Sequence, residues 1–193
     1  MARSGRVGLP EVGHLSYFGS LSLRVYLLYT DILEGSFLFL NYSSYHKHMD
    51  TEAKQKLIRD LLNTEVLGVV ATAGADRVPQ AALVGFTATD DLNLVFGTSN
   101  QTRKYQNLQT NPKVSFVIGT SAEARVTVQY LGTARELAGE ELTQYQNVHL
   151  AKHPRAKRVV LAPEERMFLV SPTWIRYSDY KGDPKVIFEL TDF

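Results

Sequence analysis

Beyond residue 65 the chain alternates between short apolar runs and polar breaks, a pattern that predicts a β-rich fold. "VLGVVATAG" (66–74) is an apolar run closed by Gly74. "PQAALVGFTAT" (79–89), which begins at Pro79, and "LNLVFGTS" (92–99) predict two strands joined by a tight turn at Asp90-Asp91. "KVSFVIG" (113–119) predicts a fourth strand. In "ARVTVQYLGTAREL" (124–137), Val126, Val128 and Tyr130 alternate with Thr127 and Gln129, so one face of a long strand is buried. "RMFLVSP" (166–172) and "KVIFEL" (185–190) close the chain as strands.

Helical spacing interrupts this pattern three times. "MDTEAKQKLIRDLL" (49–62) offers Asp50 or Thr51 as a cap and Glu52 to complement the helix dipole. Ala53, Leu57 and Leu61 recur at spacing four and predict one buried stripe. A short helix is expected from near Thr102 to Asn111-Pro112, with Tyr105 and Leu108 as its apolar contacts. "GEELTQYQNVHLAKH" (139–153) sets Leu142, Tyr145 and His149 on one face. Seven short strands with two or three helices predict a mainly β protein, an antiparallel barrel with helical covers.

Residues 1–48 read differently. "MARSGRVGLPEVGHLSYFGS" is Gly-rich and aperiodic, and the greasy stretch that follows is broken by Arg24, Asp31 and Glu34. Neither a membrane span nor a clean secretory leader is expected from it. The expectation is a domain over 49–193 that starts natively at Met49, with 1–48 an extension that is disordered or non-native. Truncation to 49–193 should then leave folding and ligand binding unchanged, and a lowered melting temperature of the shortened protein would refute this.

Composition narrows the function classes. Of 193 residues, 44% are hydrophobic and 21% charged, which suits one ordinary soluble domain. Lys and Arg number 21 against 20 Asp and Glu, so the basic excess of a nucleic-acid binder is missing. No membrane partner is expected either. The chain has no cysteine, which excludes thiolate catalysis and Cys-based metal sites and agrees with a cytoplasmic setting.

The densest chemistry lies in "FGTSNQTRKYQNLQTNPKVSFVI" (96–118). Thr98, Ser99, Thr102, Arg103 and Lys104 fall where a strand feeds a helix. A helix N-terminus carries partial positive charge, so two cations in its first turn are locally unfavourable. Free amides, hydroxyls and a guanidinium–ammonium pair together suit a phosphate in front of them. The alternative is a solvated basic first turn.

"LVFGTSNQTRKYQNLQTNPKVSFVIG" (94–119) resembles the matching segment of the pyridoxamine 5′-phosphate oxidase-like, FMN-binding split barrels. Thr102-Arg103-Lys104 followed by Asn111-Pro112 is its most specific piece, and the likeness extends from the Met49 helix through "GTAREL" to "VSPTWIRYSD". The resemblance implies a six- to seven-stranded antiparallel split β-barrel with Greek-key order, and a homodimer holding FMN in two clefts between subunits. It implies that Thr98 and Ser99 contact the flavin ring or ribityl chain and that Thr102, Arg103 and Lys104 hold the phosphate. It sets Ala82–Thr87, with Leu83 and Val84, along the isoalloxazine, and brings Thr127 or Arg125 in from the long strand. Deazaflavin and haem are the alternative cofactors within the group.

The chain departs from the true vitamin B6 oxidases of that family. Their second-strand Arg and Lys fall on Ala82 and Thr87, their flavin-side aromatic falls on Ser178, and the C-terminal Arg-x-His motif has no counterpart in "KGDPKVIFELTDF". Pyridoxine phosphate oxidation is therefore not expected. Trp174 reads as a core or interface aromatic. "HLAKHPRAKR" (149–158) reads as a solvated helix end stopped by Pro154. His149 and His153 stand at metal-pair spacing without an evident third ligand, so no metal site is expected. The reading is a flavin-dependent oxidoreductase passing hydride or electrons between flavin and a small-molecule substrate, with no identifiable catalytic acid or base. The alternatives are a non-enzymatic haem- or flavin-binding sensor or carrier, or a deazaflavin-dependent reductase.

Overall fold

The computed structural model describes residues 49–119 and 125–193; the expectations for residues 1–48 lie outside them. The elements run α1 (Thr51–Thr64), β1 (Leu67–Ala73), β2 (Pro79–Ala88), β3 (Leu94–Ser99), α2 (Arg103–Thr110), β4 (Lys113–Ile118), β5 (Val126–Glu136), α3 (Gly139–Lys152), a 3₁₀ turn at Pro154–Ala156, α4 (Lys157–Val160), β6 (Glu165–Asp179) and β7 (Val186–Leu190).

All strand pairings are antiparallel, in the order β3-β2-β1-β4-β5-β6-β7. After the β1-β2-β3 meander, β4 returns beside β1, which is Greek-key order. β3 also pairs with β6, Leu94 opposite Val170 through Ser99 opposite Glu165. That contact closes a six-stranded barrel and leaves β7 as an addition to the far half of β6. No helix among the described residues is long and apolar enough to cross a membrane.

The barrel interior is aromatic. Phe96 stacks on Phe168 at 5.6 Å and meets the edge of Phe116, and Phe116 in turn meets Tyr130. Tyr130 is fully buried, and its hydroxyl reaches the carbonyls of Leu92 and Val170. A second apolar cluster lies outside the barrel, where Val95, Met167 and Leu169 meet Leu142, Tyr145 and Leu150 of α3. Consecutive residues Leu94, Val95 and Phe96 are therefore all buried, because β3 has a core on both faces.

Three expectations need correction. The buried stripe of α1 is Ile58 and Leu62, with Leu57 and Leu61 at its margin and Ala53 exposed. The spacing was right and the phase was one residue off, because Ile58 points into the barrel mouth. The β2–β3 connection is longer than a two-residue turn. It closes by Thr89 N–H to the Asn93 carbonyl, and Leu92 (φ +61°) is held in the left-handed region with its side chain buried. Finally, β6 does not stop at Pro172. A bulge there carries the strand on to Asp179, with Gly132 opposite Pro172 and Leu131 opposite Trp174. A methyl group on Gly132 would meet the Ser171 carbonyl at 2.5 Å, so only glycine lets the strands approach.

Candidate functional site

The helix α2 is set by its own ends. Thr102 is the N-cap, its hydroxyl accepting from the Tyr105 amide at 3.3 Å. The same hydroxyl donates to the Ser99 carbonyl at 2.9 Å, so the Thr98 hydroxyl, 2.8 Å away, must be a donor to it. The Thr102 hydroxyl thus uses its proton and both lone pairs within the cap. At the other end the Asn111 amide donates to the Ala73 carbonyl and its oxygen accepts from Lys113 N–H. Midway, Asn107 donates to the Thr72 hydroxyl at 3.0 Å. Tyr105 meets the edge of Phe168, and Leu108 is buried. α2 is therefore pinned against β1 and the barrel end, and its first turn is aimed rather than loose.

That first turn contains no acidic residue. Arg103 is exposed and Lys104 half-buried, and no ion pair among the described residues includes either. Their backbone amides, at the start of a helix, have no intrahelical acceptor. Both residues, with Thr102, line a cleft of about 390 Å³ whose other wall is Thr72 of β1 and Gln80, Ala81 and Ala82 of β2. The cleft can accept a tetrahedral anion: two cations line it, and its far wall is neutral. It shows no arrangement of acid, base or nucleophile.

The sequence-derived residues are distributed unevenly. Thr102, Arg103, Lys104 and Ala82 come together in the cleft. Thr98 is buried and turned into the cap, and Ser99 is half-buried beside it. Leu83 points outward and is 61% exposed, whereas Val84 points into the core. Thr127 sits on β5 opposite Ser178 and does not line this cleft within one subunit. Thr87 is buried and hydrogen-bonded to His149 at 3.0 Å. Thr72 and Gln80 were missed; a threonine inside the apolar run 66–74 and a polar residue after Pro79 were the available signals.

The chain around 149–153 is not simply solvated. His149 is buried against Thr87, and His153 Nε2 bonds the Phe86 carbonyl at 2.8 Å. The two rings stack with centroids 4.5 Å apart. Lys152 donates to the Leu62 carbonyl and lies over the Phe86 ring. Only Arg155, Lys157 and Arg158 face water as the basic run suggested. Burial, then the charges of His153 and Lys152, push His149 down to about 4, and burial pulls Lys152 down to about 8. These side chains clamp α3 onto β2 and the end of α1. Among the described residues no three metal-ligating side chains converge.

A family model described as pyridoxamine 5′-phosphate oxidase matches residues 55–179. The chain belongs to the pyridoxamine 5′-phosphate oxidase family. The match spans α1 to the end of β6, so it covers the whole barrel and the cleft. Solved structures agree on this family's fold. The general stress protein 26 of Bacillus anthracis is 22% identical with a TM-score of 0.54, over 71% of this chain and 98% of that one. A putative pyridoxamine 5′-phosphate oxidase of Listeria innocua is 19% identical with a TM-score of 0.54, over 64% and 97%. A haem-binding protein of Mycobacterium smegmatis is 20% identical with a TM-score of 0.62, over 71% and 57%, so the chain spans little more than half of that protein's length. No curated protein matches.

Proposed function

We propose that the protein is an FMN-binding oxidoreductase that acts as a homodimer on a small molecule. The observation that carries this reading is the cleft itself: Arg103 and Lys104, which make no ion pair among the described residues, line a space walled by Gln80, Ala81 and Ala82 of β2. A phosphate-tailed cofactor uses such a pair, and its tricycle can lie along the backbone of β2 near Leu83. A bound flavin would supply the electron chemistry; the chain would supply binding and orientation. Arg103 and Lys104 would neutralise the phosphate, and the pinned α2 would fix its distance from β2. With Ala82 in the cleft and Thr87 committed to His149, the second strand lacks the cationic side chains of the vitamin B6 oxidases, so a different substrate is expected. Deazaflavin shares the phosphate and fits the same donors.

The outer barrel face supports the dimer. Val69 of β1 pairs with Leu83 of β2 on one side and Val117 of β4 on the other, and Leu131 of β5 lies in the adjoining row. Leu83, Val117 and Leu131 are 61%, 43% and 43% exposed, and a second copy would cover them. Such interfaces bury on the order of 2,000 Å² or more. Light scattering should report a dimer at micromolar concentration; a stable monomer near 21.7 kDa would contradict it.

Haem is the second reading, favoured by the haem-binding Mycobacterium smegmatis protein with the same fold. Here both described histidines are engaged, with Thr87 and with the Phe86 carbonyl. The visible spectrum of the purified protein separates the two: flavin's two bands support the first reading, and a Soret band overturns it.

A further inference from the structure

The strand β1 turns every second residue inward, and Gly68, Val70 and Thr72 form its buried row. Thr72 ends that row where α2 is pinned to β1, and it is 3% exposed. Valine has nearly the same shape and would suit the apolar run 66–74 better, so packing does not call for a hydroxyl here. A threonine hydroxyl offers one proton and two lone pairs. Thr72 Oγ1 accepts from the Asn107 amide at 3.0 Å, and among the described residues nothing accepts its own proton. The other two buried threonines differ: Thr98 donates to Thr102, and Thr87 is bonded to the His149 ring. A buried donor without an acceptor is costly. Thr72 keeps one in the wall of the cleft that Arg103 and Lys104 also line.

We propose that Thr72 is an anion-binding residue of this cleft, its hydroxyl proton held toward a phosphate oxygen by the Asn107 amide. The proposal rests on the phosphate reading of the cleft. Asn107 takes up a lone pair on the α2 side of the hydroxyl, so the proton is turned away from that helix. A phosphate between β1 and the first turn of α2 supplies the acceptor that the empty cleft lacks. Arg103, on the exposed start of the helix, attracts charge, whereas Thr72 fixes where one oxygen sits. Asn107 is a positioning residue: it touches no ligand and acts by holding both the hydroxyl and the helix that carries the cations. The β2 wall, Gln80, Ala81 and Ala82, adds no further cation, so the hydroxyl of β1 supplements the pair on α2.

The test uses the full chain with three probes: FMN, riboflavin and inorganic sulfate. Dissociation constants are measured by flavin fluorescence and calorimetry for the parent, Thr72→Val, Thr72→Ser, Asn107→Ala and Arg103→Ala, each checked by a thermal melt. Thr72→Val should weaken FMN and sulfate about 10-fold or more, the usual weight of a hydrogen bond to a charged partner, and leave riboflavin within about twofold. Thr72→Ser, which keeps the hydroxyl, should restore most of the loss. Asn107→Ala should cost less than Thr72→Val, because the hydroxyl survives it. An equal or larger loss in Asn107→Ala would mean that Thr72 merely anchors α2, and overturns the proposal. Equal losses of FMN and riboflavin in Thr72→Val, or no rescue by serine, also overturn it. If Thr72→Val folds poorly, the exchange of the parent's Thr72 hydroxyl proton with water is followed by NMR. Added sulfate should slow it, and unchanged exchange at saturating sulfate overturns the proposal. Weakened FMN and sulfate in Arg103→Ala with no effect of Thr72→Val would leave the phosphate reading standing and remove this inference alone. Unchanged FMN and sulfate affinity in both variants would remove both.

Discussion

Replacing Arg103 or Lys104 by alanine should weaken FMN about 10- to 100-fold, because a hydrogen bond to a charged partner contributes roughly 1.5–3 kcal/mol and ~1.4 kcal/mol is tenfold. Riboflavin, which lacks the phosphate, should bind weakly to the parent and lose almost nothing in either variant. The ligand-free variants should melt no lower than the parent. Each change removes a cation from a helix start, where the dipole disfavours it, and neither side chain makes an ion pair that would be lost. The measurement is a fluorescence titration of both flavins alongside thermal melts. Equal losses for FMN and riboflavin would mean that these side chains do not read the phosphate.

Acid should unfold the protein through His149. Its folded-state pKa lies near 4 and its unfolded value near 6.5. Between these values the unfolded chain holds a proton that the folded chain refuses, so stability is full above about pH 6.5 and falls as the pH drops toward 4. The window of about 2.5 units corresponds to as much as ~3 kcal/mol, at 1.36 kcal/mol per unit. Lys152 adds nothing to this limb. Its folded pKa is depressed too, but it titrates between about 10.5 and 8, well above the acid range. Denaturant melts of the parent and His149→Asn at pH 7 and pH 4 check the assignment. The variant should lose markedly less stability than the parent, and parallel losses would assign the acid limb to other groups.

The helix α2 was legible because every signal in it is local. Thr102 caps it, Asn111-Pro112 ends it, and Arg103-Lys104 violates the dipole rule visibly. The seven strands were legible for the same reason, through alternation and apolar runs. What failed depended on distant partners. The phase of α1 is decided by the barrel mouth that receives Ile58, and nothing within 49–62 distinguishes Leu57 from Ile58 as the inward residue. Pro172 breaks a strand by every local rule, and it is the glycine some forty positions earlier, at 132, that makes room for a bulge. Thr72 and Gln80 belong to the cleft only because β1 and β2 pair with Thr72 opposite Gln80. The histidines looked like a metal pair in isolation, and Phe86 and Thr87, more than sixty residues away, explain why they are buried together.

The closing contact between β3 and β6 has a consequence for how the chain acquires its shape. Everything that lines the cleft lies between Thr72 and Lys104, whereas sealing the barrel requires Leu94 to find Val170 across most of the remaining chain. Pairings so far apart in sequence are slow to form, because the loop entropy must be lost before the contact is gained. The β1-β2-β3-α2 segment is thus expected to organise while β6 is still searching, and during synthesis it leaves the ribosome well before its closing strand. In that interval Val95 and Phe96 of β3 have neither of their cores, and β3 is an open, apolar edge. The hazard for this protein is then aggregation through β3 before closure, more than loss of the finished barrel.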